Sequence, residues 1–139
     1  MTRVTRYVLA VMMAAHGLIH LIGFVVPWDM GVVEGFPYDT TVLGGSADLG
    51  NLGVRLIGIV WLACAVGFVA VGVGIGRRSS WALPLVASLG ALSLTLCVLG
   101  LPETAVGIAV NAAILGGVAR VARSRAPESV VAPEAQVLR

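Results

Sequence analysis

The sequence has no lysine, only two cysteines and few aromatic residues, and just 12% of its 139 residues are charged. A water-soluble domain carries about 25% charged residues, so this chain lacks the polar groups to cover an ordinary soluble surface. The cysteines, Cys64 and Cys97, lie inside apolar segments, at no spacing that suits a disulfide framework or a zinc module. A net charge of +2, with the basic residues at segment ends, leaves no basic stripe for nucleic acid. There is no nucleophile–histidine–acid set, phosphate-cradling glycine loop or zinc hydrolase motif. The chemistry therefore leans away from an enzyme, and nothing in the sequence requires a cofactor.

What the chain does have is apolar length. It is 58% hydrophobic, with a mean hydropathy of +0.99. A bilayer core takes roughly 20 apolar residues per helix, and four such runs are present, at about 7–26, 52–75, 81–100 and 104–121. The first run is too long for a secretory leader, is interrupted by His16 and His20, and has no clean cleavage site, so it reads as a retained helix. The expected fold is an all-α, membrane-spanning antiparallel four-helix bundle over residues 1–122. A structured outer loop at 27–51 joins the first two helices, and a disordered cytoplasmic tail follows at 123–139. The other connections are very short, which makes neighbouring helices antiparallel.

Orientation follows the arginines. With the N-terminus inside, Arg3, Arg6, Arg77, Arg78, Arg120, Arg123, Arg125 and Arg139 all fall on the cytoplasmic side, and Arg55 alone lies near the outer face. Both ends are thus expected inside. Trp28 and Trp81 fall at predicted interfaces.

Lipid tails are as apolar as leucine, so close packing at small residues holds such helices together. The second span has Ala63, Gly67, Gly72 and Gly76. The fourth has Ala105, Ala109, Ala113 and Gly117 at strict four-residue spacing. The latter stripe fits packing inside the bundle, with a homodimer seam as the alternative; the other partner is the lipid bilayer itself.

Ionisable and polar residues inside a span are costly and mark the candidate site. They are His16, His20, Arg55 and Asn111, with Ser88, Ser93 and Thr95 as lesser members. His16 and His20, four residues apart, share one helix face, with His20 about 6 Å nearer the outside. Two imidazoles at this spacing can hold a metal ion, and Met12 and Met13 one turn below would favour copper(I). No carboxylate or third histidine stands in another span, Cys64 is the only thiol at similar depth, and a haem would need its second histidine from another subunit. The other readings are proton or substrate handling and a structural pair bonded to Asn111, Ser93 or carbonyls. Arg55 reads either as an anchor snorkelling outward or as paired with an acid, Asp48, Glu103 or another loop residue, with Glu103 favoured at similar depth. The loop, with Phe36, Tyr38, Val42 and Leu43 available to pack and a turn at Gly44–Gly45, is expected to cap a cavity below it.

The combination of His16-Gly17-Leu18-Ile19-His20, Thr40-Thr41-Val42-Leu43-Gly44-Gly45 and an arginine early in the second span resembles a group of small bacterial four-helix membrane proteins that are often labelled permease-like. The resemblance covers most of the chain up to Arg120 and implies a multi-pass protein of the bacterial cytoplasmic membrane. A looser likeness, in size and helix number alone, is to DoxX-like membrane proteins. Together these readings favour a non-catalytic accessory or small-molecule-binding protein with a polar site in the outer half of the bundle. An oligomeric transporter or channel component using His16 and His20 is the alternative, followed by a metal- or haem-linked redox protein.

Overall fold

The computed structural model describes residues 2–125; of the disordered tail expected at 123–139, residues 123–125 instead continue the last helix, and the rest lies outside the described residues. Four helical segments are long and apolar enough to cross a membrane: Arg3–Val25, Gly50–Gly76, Ala82–Leu99 and Ala105–Ser124. The first is two pieces, α1 (Arg3–Ile19) and α2 (Ile22–Val25). A two-stranded hairpin follows, β1 (Thr41–Val42) against β2 (Ala47–Asp48), and then α3 (Gly50–Gly76), α4 (Ala82–Leu99) and α5 (Ala105–Arg125).

Local chemistry sets the boundaries. Thr2 caps α1 by accepting the Thr5 amide at 3.2 Å. The helix tightens at His20, whose amide bonds to Gly17 O rather than to His16 O; the Leu21 amide likewise reaches back three residues, to Leu18 O. At the far end of α3, Arg78 adopts a left-handed conformation (φ 61°), the Ser79 amide returns to Gly74 O and the Arg78 amide to Ile75 O. That paired closure satisfies the last carbonyls and turns the chain into α4 within a few residues.

Neighbouring helices run antiparallel. Gly17 of α1 lies against Ala65 of α3, and Ala10 against Gly72. Gly67 of α3 lies against Leu89 of α4, and Gly74 against Trp81. Gly90 of α4 lies against Leu115 of α5, and Cys97 against Gly107. The tightest seam is α1 on α3. A Cβ at Gly17 would meet Ala65 O at 2.7 Å, and one at Gly72 would meet Ala10 O at 2.6 Å, so only glycine lets the two backbones approach this closely. On α3 the seam residues Gly58, Ala65 and Gly72 recur every seven positions, and all three are buried.

The helices form an arc. α1 packs on α3, α3 on α4 and α4 on α5, while α1 and α5 scarcely touch. The densest core lies around Cys64, Phe68 and Val71 of α3 with Val86, Leu89 and Leu96 of α4. The small stripe of α5 departs from the packing expected of it: Ala105, Ala109, Ala113 and Gly117 are all exposed and contribute nothing to the bundle. α5 turns Asn111, Ile114 and Val118 inward instead. Small residues on a helix that is apolar all round do not reveal which face meets protein and which meets lipid.

Candidate functional site

The break at His20 builds the site. With the His20 amide diverted to Gly17, the His16 carbonyl loses its usual helical partner, and the His20 ring takes it: Nδ1 lies 2.9 Å from His16 O. A carbonyl only accepts, so Nδ1 carries the proton. In the neutral ring Nε2 is then the acceptor, and it lies 2.7 Å from Ser93 Oγ on α4, whose hydroxyl donates. His20 is only 2% exposed and Ser93 fully buried, so both imidazole nitrogens are satisfied inside the protein and the ring orientation is locked. The ring lies against Trp61 and Phe68 at centroid distances of 5.1 and 5.2 Å.

His16 stands edge-on to His20, with ring centroids 4.7 Å apart, and edge-on to Phe68 at the same distance. Its Nε2 is buried without a hydrogen-bond partner. Asn111 of α5 is fully buried. Its amide donates to Gly107 O at 2.9 Å and to Cys97 Sγ at 3.6 Å, leaving Oδ1 unpartnered. Polar contacts thus tie His20 to Ser93 of α4 and Asn111 of α5 to Cys97 of α4.

Above this floor is a cavity of about 540 Å³. His16, His20, Ile19, Gly23 and Val26 form one wall, Val106, Gly107 and Val110 of α5 another, and Val54, Ile57 and Trp61 of α3 with Leu96 and Cys97 of α4 the back. It fills the space left where α1 and α5 fail to pack. The segment between α2 and α3 forms its roof, contributing Phe36, Asp39, Thr41, Val42, Gly44 and Gly45. That roof is pinned. The Leu43 amide donates to Leu99 O at 2.8 Å and the Gly44 amide to Leu101 O at 2.9 Å, across to the α4–α5 link. Leu43, Gly44 and Gly45 all have left-handed φ values, which glycine tolerates best and which fold the hairpin turn tightly. Tyr38 donates to Asn51 Oδ1 at 2.5 Å. Asp39 accepts from both the amide and the hydroxyl of Thr41, at 2.9 and 2.8 Å. These bonds, the amide's first, hold the Asp39 carboxyl below its usual range; the Gly50 amide, with the Thr40 side chain, does the same for Asp48.

The candidates from sequence divide clearly. His16, His20 and Glu103 line the cavity, and Asn111 sits beneath it, bonded to the lining residue Cys97. Arg55 does not join them. It is exposed, with Nε 3.4 Å from Pro27 O and the guanidinium 5.9 Å from the Trp28 ring centre. Trp28 Nε1–H in turn donates to Arg55 O at 3.2 Å. The expected Arg55–Glu103 pair is replaced by this clasp between α2 and α3. Ser88 and Thr95 bond carbonyls of their own helix and stay outside the site. Trp61, Phe68 and Cys97 carry no signal in the sequence that would place them here.

As a metal centre the donor set is thin. Among the described residues no three His, Cys, Asp or Glu side chains gather. His20 would have to give up Ser93 or the His16 carbonyl to offer a nitrogen. Comparisons with family models, curated proteins and solved structures found no match to this chain.

Proposed function

We propose that this is a small multi-pass membrane protein that binds a small molecule in the cavity between α1 and α5, without catalysing a reaction on it. The cavity carries the reading. Its size falls within the roughly 300–1,000 Å³ of small-molecule sites, and it joins a mainly apolar wall to a few fixed polar groups. In the orientation that places eight of nine arginines in the cytoplasm, the hairpin roof faces outward and the ligand arrives from outside or from the outer leaflet. The resemblance to the permease-like bacterial group agrees with a cytoplasmic-membrane location.

A conducting or carrier role finds less support. Beneath His16 the α1–α3 seam is closed by the glycine contacts of Gly17 and Gly72, and Phe68 and Val71 are fully buried, so the cavity ends at the histidines. A homodimer through the exposed Ala105, Ala109, Ala113 and Gly117 face is compatible with this site and separate from it. Native mass spectrometry of the full chain released from detergent tests the binding reading. A small-molecule adduct at one per chain is expected, retained by the native protein and lost when Val110→Trp fills the cavity. An adduct pattern identical in both proteins would overturn the reading.

A further inference from the structure

The charge of the cavity goes beyond its shape. Two carboxylate side chains, Asp39 and Glu103, line its upper part, and among the described residues no arginine lines it. The arginine nearest in the chain, Arg55, is turned away and engaged with Pro27 O and Trp28. Every other described arginine belongs to the opposite ends of the helices. The remaining polar lining groups are neutral donors or acceptors. Aromatic side chains line it at two depths, Phe36 in the roof and Trp61 in the wall.

We infer that the cavity is selective for a lipophilic organic cation, whose charged group sits under the roof near Asp39 and Glu103 and whose apolar body extends toward Trp61 and His20. This assignment rests on the binding reading above and adds the sign of charge to it. Three physical points carry it. An anion would meet two carboxylates and no described arginine at the mouth of the cavity. A weakly hydrated organic cation loses little on leaving water, gains from both carboxylates and can rest on an aromatic face. Asp39 is fixed in place, because both of its oxygens accept from Thr41, so the charge is already positioned before the ligand arrives. A lipophilic cation also concentrates at the membrane surface, beside the gap between α1 and α5.

The test uses two ions of nearly the same size and shape and opposite charge, tetraphenylphosphonium and tetraphenylborate. Binding of each to the full chain in a neutral detergent is measured by equilibrium dialysis against detergent alone. The expected result is saturable binding of the phosphonium at one per chain and no saturable binding of the borate. Glu103→Gln removes a charge from a side chain that makes no hydrogen bond among the described residues, so the fold is retained. It should weaken the phosphonium about tenfold, the loss of one charge-assisted contact. If the borate binds as tightly as the phosphonium, the charge assignment falls while the binding cavity stands. If the phosphonium binds the native protein and an Asp39→Asn, Glu103→Gln double variant equally, the assignment falls in the same way. If neither ion binds, the cavity reading falls with it.

Discussion

At the scale of single residues, the arrangement turns on His20. Its ring replaces a backbone partner of His16 and reaches across to Ser93, so one side chain both repairs a helix break and ties α1 to α4. Removing the hydroxyl strands a buried ring nitrogen. Ser93→Ala should therefore cost about 1–3 kcal/mol, read as a lower midpoint of thermal unfolding in detergent; Ser93→Thr, which keeps a hydroxyl, should recover part of it. An unchanged midpoint for Ser93→Ala would mean that the bond contributes nothing. The glycines make an equally local contrast. Gly17→Ala drives a methyl into Ala65 O and Phe68, so it should destabilise by about 1–3 kcal/mol. Gly116→Ala meets nothing within 4 Å and should be neutral or stabilising by up to about 1 kcal/mol, from helix propensity.

At the scale of elements, the roof depends on its carboxylates as anions. The folded-state values of Asp39 and Asp48 are depressed by the amides and hydroxyl they accept from. Their contribution is therefore fully present above the ordinary aspartate value and is lost as pH falls through the lower, folded value. Cleavage of residues 38–49 by an acid-active protease, taken relative to its cleavage of an unstructured peptide of the same residues at each pH, should rise as pH falls below about 4. A relative rate independent of pH would show that the roof is held by other bonds. The elements were legible in the sequence to different degrees. Four helices follow from run lengths alone, and the Gly44–Gly45 turn was visible because few residues tolerate left-handed backbone. The spacing of His16 and His20 placed them on one face, as found, and Asn111 stood out as a lone amide in an apolar span. The break after Ile19 was not visible, because it arises from a side chain competing for a carbonyl. Trp61, Phe68 and Cys97 were missed, and the small stripe of α5 was turned the wrong way, because apolar helices give no facing signal when lipid and protein are equally apolar.

At the scale of the whole molecule, an arc of helices replaces a closed bundle, and its opening between α1 and α5 becomes the cavity. The hairpin covers one end, and the glycine seam with Phe68 and Val71 closes the other. In the proposed orientation the pocket is reached from the outer side only, past the hairpin roof or through the gap between α1 and α5. That access is tested by single cysteines at Val110, in the cavity wall, and at Val71, beneath the floor, in a Cys64→Ala, Cys97→Ser background. A membrane-impermeant thiol reagent is applied to right-side-out and to inside-out vesicles. Val110→Cys should be labelled from outside only and Val71→Cys from neither side. Labelling of Val110→Cys from the inside only, or of both positions from both sides as in a continuous pore, would contradict outward-only access.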